Sequence, residues 1–175
     1  SDPMPSSYSI RGMRAAMLFG VATGFVAAAM AASPRIDSAY TDLAKDCRDA
    51  FAEHEDEEGE DMPLRCAGPA GASLYVYFSA IAAYMQVETK DGQNMLAQPI
   101  ELGDYDRGKV EWRMADGAPF AVIVRIRGRE GRAETLEVRG IGAYRDLSGS
   151  IAVSRHPHAN DEARALADSA RAAQR

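Results

Sequence analysis

The sequence predicts an α+β fold, β-rich, with an antiparallel sheet, a C-terminal helix and one disulfide. Three observations carry this. KVEWRMADGAPFAVIVRIRG (109–128) reads as two alternating strands around an Asp-Gly turn. NDEARALADSARAAQR (160–175) begins with acids and ends with arginines, the order that complements a helix dipole. Cys47 and Cys66 are the only 2 cysteines, so a single intrachain pairing is available.

Residues 1–32 form the first segment. Ser1-Asp2-Pro3 reads as a tag remnant, and Arg11 and Arg14 precede a run without charge from Ala15 to Ala32. Small residues at Ala29-Met30-Ala31 complete the pattern of a secretory signal peptide that is cleaved on export. An uncleaved anchor is the competing reading, because the run approaches spanning length, although its alanines and glycines make a weak span. Export places the mature chain in the periplasm or outside the cell, where paired cysteines oxidise.

Residues 33–158 form the predicted β-rich domain. Ile36, Tyr40, Leu43, Cys47 and Ala50 fall at helical spacing, and an extended segment ending at Cys47 competes with a helix there. The stretch 47–66 is an acidic disulfide loop. The acids and bases outside it balance, so the net charge of -6 resides within it. Closing such a loop stabilises the fold by about 3 kcal/mol in the chain-entropy account. The acids repel one another and read as a solvated loop, with Glu55, Asp56, Glu57 and Glu58 as interaction candidates. Cation binding is the alternative, but the run lacks the alternating spacing of a calcium loop.

Beyond Cys66, Gly68-Pro69-Ala70-Gly71 marks a turn, and Leu74–Phe78 and Ile81–Glu88 carry the aromatic and β-branched content of strands. Residues 93–108 have no period and read as loop. In the hairpin, Val110, Trp112 and Met114 alternate with Glu111 and Arg113, leaving one face apolar. Phe120, Val122, Val124 and Ile126 are expected on one side of the second strand, and Ala121, Ile123, Arg125 and Arg127 on the other. Residues 134–141 alternate again, and Ser148–Ser154 supplies a last short strand. The arginines from Arg125 to Arg145 lie among Glu130, Glu134 and Glu137 and read as charge pairs on a solvent face. The sharper alternative is an anionic-partner surface at Arg125 and Arg127. In the helix, 159–175, Asn160 is the expected N-cap, and Ala163, Leu166, Ala167 and Ala170 form a narrow apolar stripe.

Most chemistries lack their parts. There is no G-x-S-x-G, no phosphate loop and no H-E-x-x-H. His156-Pro157-His158 with Asp161 could seat a metal but reads as an exposed linker. Asp104 and Glu111 could do acid–base work, but nothing places them in a cleft. Oxidised cysteines are not nucleophiles, and Trp112 reads as core. An acidic chain without a basic face is a poor nucleic-acid ligand. No catalytic residue, no metal site and no cofactor are therefore expected.

Certain stretches are similar to a group of small exported proteins of Gram-negative bacteria with no established activity. These are Tyr40-Thr41-x-Leu43 leading to Cys47, Cys66-Ala67-Gly68, Glu111-Trp112-Arg113, Gly117-x-Pro119-Phe120-Ala121, and Ala159-Asn160-x-x-Ala163-Arg164-x-Leu166-Ala167-Asp168. The resemblance covers most of the mature chain and implies export and one bridge, with nothing catalytic. A weaker likeness is to C-type lysozyme inhibitors, small periplasmic β-barrels. It touches Ser148-Gly149-Ser150, since those proteins insert a Ser-Gly loop into the lysozyme cleft, but the residues that follow that loop are missing here. The expected function is a non-catalytic periplasmic binding or interaction protein whose partner is another envelope protein. The alternatives are an inhibitor of a cationic envelope enzyme such as lysozyme, engaging Ser148 and Gly149, and a metal-assisted hydrolase using His156 and His158.

Overall fold

The structure, a computed structural model, describes residues 32–50, 62–103, 105, 107–128 and 131–174. Among them the chain forms β1 (Ile36–Asp42), β2 (Cys47–Asp49), β3 (Leu64–Ala67), β4 (Ser73–Phe78), β5 (Ala83–Glu88) and β6 (Ile100–Glu101). β7 (Lys109–Ala115), β8 (Ala118–Ile126), β9 (Thr135–Gly140), β10 (Ser148–Ala152) and α1 (Ala159–Ala173) follow. The strands make two sheets, β1-β7-β8-β9-β10 and β2-β3-β4-β5-β6, in which every named strand pair is antiparallel. The sequence reading anticipated a single sheet. No helix among the described residues is long and apolar enough to cross a membrane.

The β7–β8 hairpin forms where the Asp-Gly pair predicts it. Asp116 and Gly117 both take positive φ, 49° and 80°, the backbone that a two-residue hairpin turn requires. Pairing then slips between Arg113↔Ala121 and Met114↔Pro119, which leaves Phe120 as an extra residue in β8. The bulge turns Phe120 to the side of Ala121 and Ile123, not to that of Val122 and Val124 as strict alternation would have it.

Two cores result. Val110, Trp112, Met114, Val122 and Val124 from the first sheet meet Cys66, Leu74, Val76, Met85, Val87 and Ile100 from the second. On the first sheet's other side, Phe120, Ala121, Ile123, Leu136 and Val138 meet Ala159, Ala163 and Ala167 of α1. The first sheet is thus covered on both faces, which accounts for the unbroken apolar run Phe120–Val124. Trp112 is fully buried, as expected. Its indole N–H donates to Thr41 Oγ1 at 2.9 Å, and the Thr41 hydroxyl donates to the Ala67 carbonyl at 2.7 Å, so one chain of hydrogen bonds ties β7 and β1 to β3. Gly68 lets the ring approach: a Cβ there would stand 2.6 Å from Trp112 Cζ2.

Other local expectations need correction. Residues 36–50 hold two strands, because Asp42 and Asp46 close a turn: the Asp46 N–H donates to the Asp42 carbonyl at 2.8 Å, and the Asp42 N–H to Asp46 Oδ2 at 2.7 Å. Of the two readings of this stretch the extended one holds: Ile36 and Tyr40 lie in β1, Cys47 in β2, and Leu43 and Ala50 outside the strands. The segment 93–108 contains the short β6. Asn160 lies inside the first turn of α1; His158 occupies the cap position and makes no side-chain capping bond. The buried stripe is Ala159, Ala163 and Ala167, while Leu166 lies at the rim over Gly149, where a Cβ would clash with it.

Candidate interaction face

Covering one sheet on both sides leaves the other covered on one. Within β2–β5, Cys47, Leu64, Cys66, Leu74, Val76, Phe78, Ala83, Met85 and Val87 face the inter-sheet core. Period-two alternation sends Arg48, Arg65, Ser73, Tyr75, Tyr77, Tyr84, Gln86 and Glu88 to the opposite, outer face; of these Gln86 is buried, its Oε1 accepting the Leu96 N–H at 3.0 Å. Register then assembles them: Arg48↔Arg65, Arg65↔Tyr75, Tyr77↔Tyr84, Ser73↔Glu88 and Tyr84↔Glu101 are directly paired. The packing partners of α1 are β7, β8, β9 and β10, all in the first sheet.

The tyrosines form a continuous ridge. Tyr75 and Tyr77 have centroids 5.9 Å apart, and Tyr77 stacks on Tyr84 at 5.5 Å with 20° between planes. Arg65 closes one end, its guanidinium 5.4 Å from the Tyr75 centroid, while its Nη2 reaches Glu88 Oε2 at 3.2 Å. These contacts compensate the cost of placing Arg65 opposite Arg48. The Tyr75 ring is tilted 32° against Tyr77, and all three tyrosines are half-buried. Such a surface offers apolar area and hydrogen bonds from side chains that are already ordered. The cross-strand bridge Cys47–Cys66 fixes β2 to β3 beneath it.

A second polar cluster lies between the first sheet and α1. Glu111 and Arg113, each 8% exposed, are not on a solvent face but under the helix. Arg113 grips Asp168 through Nε–Oδ1 at 3.0 Å and Nη2–Oδ2 at 2.6 Å, and its Nη1 donates to Ser38 Oγ at 2.7 Å. Arg164 donates to both oxygens of Glu111, at 2.7 and 3.2 Å, and Glu111 also accepts from the Ser38 hydroxyl at 2.5 Å. Donating to Glu111 raises the Arg164 pKa above its ordinary value, against the opposing effect of burial. With their partners placed, these groups act as a clamp on α1 and present no reactive pair.

The residues singled out from sequence are scattered. Cys47 and Cys66 are bridged. Glu55, Asp56, Glu57, Glu58 and His54 lie outside the described residues, as does Asp104. Arg125 pairs with Glu134 at 3.0 Å and Arg139 with Glu137 at 2.7 Å, the surface charge pairing expected. Arg127 sits past the end of β8, bridged to Gly103. Ser148 and Gly149 belong to β10, paired with β9, rather than to a protruding loop; Gly149 packs under Leu166 and Ser148 is exposed. His156 Nδ1 stands 2.6 Å from Glu162 Oε2, and Asp161 pairs with Arg164 at 3.3 Å. Among the described residues no three His, Cys, Asp or Glu side chains gather where a metal ion could bind. The tyrosine ridge was missed in the sequence; its signal is Tyr75 and Tyr77 at period two within LYVYF. Comparison with family models, with curated proteins and with solved structures finds no match to this chain.

Proposed function

We propose that this protein is a non-catalytic binding protein of the cell envelope that recognises another folded envelope protein with the outer face of its second sheet. The observation that carries this reading is the stack Tyr75–Tyr77–Tyr84 capped by Arg65. Tyrosine and arginine are the residues enriched where proteins bind proteins. Rings already packed on one another lose little freedom on binding. Tyr77 lies between Tyr75 and Tyr84, so its ring meets a partner at its edge. The disulfide and the charge pattern of the N-terminal segment support export to the periplasm or beyond.

The test compares wild-type protein with a Tyr77→Ser/Tyr84→Ser variant as bait in a cell-envelope extract, with a Ser150→Ala variant in β10 as the matched control. A partner retained by wild type and control, lost with the tyrosine variant, and bound directly when purified supports the reading. Two results overturn it: a partner that ignores the tyrosine substitutions, or sedimentation showing that the face is occupied by a second copy of this chain.

A further inference from the structure

Helix α1 follows β10 through the segment Val153–His158 and packs on β7, β8, β9 and β10, all strands of the first sheet. The apolar side chains it covers, among them Phe120, Ile123, Leu136 and Val138, form a cluster that shares no residue with the inter-sheet core around Trp112. The two sheets are therefore packed on each other by contacts that do not pass through the helix. The helix itself puts little apolar area into its interface: Ala159, Ala163 and Ala167 are buried, and Leu166 stays at the rim. The linker divides at its middle. The Val153 N–H donates to the Glu134 carbonyl at 2.9 Å, which holds its start to the sheet. At its end the Ala159 N–H donates to the His156 carbonyl at 3.1 Å, and His156 Nδ1 lies 2.6 Å from Glu162 Oε2, which joins His156 to the first turn of α1.

We infer that α1 is a hinged cover, lifting from the first sheet as a unit, about the segment between Val153 and His156, while the two sheets stay folded. Buried ion pairs ordinarily oppose such a motion, because parting them strands both charges. Here each charge has a second partner on its own element. On the sheet, Arg113 Nη1 stands 3.9 Å from Glu111 Oε1, and the Ser38 hydroxyl bridges them, accepting from Arg113 at 2.7 Å and donating to Glu111 at 2.5 Å. On the helix, Arg164 Nη1 is 3.3 Å from Asp161 Oδ1, and Arg164 precedes Asp168 by four residues, the spacing at which helix side chains meet. Lifting exchanges Arg113–Asp168 and Arg164–Glu111 for pairs within each element, with water reaching both. What resists it is the apolar area of Phe120, Ile123, Leu136 and Val138, together with the Arg171 guanidinium 5.5 Å from the Phe120 centroid, so the docked form predominates. The lifted form bares that apolar face on the side of the sandwich opposite the tyrosine ridge.

Native-state hydrogen exchange on the full chain, with the disulfide intact and urea held below the unfolding transition, reads this motion amide by amide. The amides from Ala163 to Ala170 are expected to exchange through one shared opening, about a hundredfold or more faster than those of β7 and β8 after correction for intrinsic rates. Thr41→Val, on the inter-sheet side, should speed exchange in β7 and β8 about fivefold or more and leave α1 unchanged, because lifting breaks neither hydrogen bond of Thr41. Asp168→Ala should speed exchange in α1 about tenfold or more. Four results each overturn the inference: α1 as protected as the two strands, α1 accelerated by Thr41→Val as much as they are, protection falling steadily from one end of the helix without a common value, or α1 exchange indifferent to Asp168→Ala. None of those results bears on the tyrosine face, whose test is separate.

Discussion

Replacing Asp168 with alanine probes how α1 is held. Its partner Arg113 keeps a side chain only 9% accessible, whereas Asp168 is 35% accessible. Deleting the acid removes the bidentate partner of a buried guanidinium and leaves it Glu111, whose Oε1 stands 3.9 Å from Nη1. Breaking a fully buried pair in this way costs roughly 3–5 kcal/mol. Here the space vacated by Asp168 opens to solvent, and Ser38 still accepts from Arg113 Nη1. Both soften the loss, to about 2 kcal/mol. For a domain of this size that lowers the melting temperature by roughly 6 °C. The opposite deletion, Arg113→Met, leaves an acid that water can reach and an apolar chain in a buried slot, and should cost only about 1 kcal/mol. Restoring electrical consistency should recover stability, so Arg113→Met/Asp168→Ala is expected to be more stable than Asp168→Ala alone. Urea unfolding followed by far-UV circular dichroism, with the disulfide intact and the slope unchanged, reads these differences from the midpoints. If Asp168→Ala falls within about 0.5 kcal/mol of wild type, or if the double variant shows the sum of the single losses, the clamp is not acting as a desolvated ion pair.

Thr41→Val removes the acceptor of the Trp112 indole N–H and the donor to Ala67; a loss of about 1–3 kcal/mol is expected, with altered tryptophan fluorescence in the native state. Gly68→Ala places a methyl 2.6 Å from Trp112 Cζ2 and 2.9 Å from the Ala72 carbonyl oxygen; chemical denaturation should show destabilisation of about 1–3 kcal/mol, the cost of overpacking. Cys47→Ser/Cys66→Ser frees a loop with a sequence separation of 19 and should lower stability by about 3 kcal/mol. Alkylation of the unreduced wild-type protein followed by mass spectrometry should find neither cysteine modified.

Local patterns made much of the fold readable. Asp116-Gly117 between alternating runs located the β7–β8 hairpin, and acids before arginines located α1. The errors share one cause: period-two alternation tells which residues share a face, not what covers that face. Alternation separates Glu111 and Arg113 from Val110, Trp112 and Met114, but no local signal announces that Asp168 and Arg164, more than fifty positions later, descend on them. Phe120 was misplaced because a one-residue slip in pairing depends on the partner strand. Tyr75 and Tyr77 shared a face by spacing alone, but Tyr84 reaches them only through the register of the β4–β5 hairpin, which aligns it with Tyr77. The turn between them, where the Ser79 hydroxyl bonds the Ala82 carbonyl at 3.1 Å, carries no Asn-Gly or Asp-Gly signal.

The two outer surfaces of the sandwich differ in a way that bears on function. The first sheet's outer side carries the apolar Phe120, Ile123, Leu136 and Val138 beside the charged Glu111 and Arg113, and burying the apolar ones takes a helix. That helix contributes mainly alanines, whose burial yields little area. Its orientation therefore depends on the two bidentate ion pairs, and its charged residues are spent on attachment. The second sheet's outer side needs no such cover. Each tyrosine there packs against a neighbouring ring, which reduces the apolar area left to water. Nothing in the packing of the core requires aromatic residues at 75, 77 and 84, since their inward neighbours Leu74, Val76, Ala83 and Met85 already fill it. A fold that needed only a solvated surface would be served by threonine at those positions. On the proposal made above, three adjacent rings with Arg65 over the first, beside the disulfide-joined β2 and β3, form a contact surface whose side chains are ordered before a partner arrives.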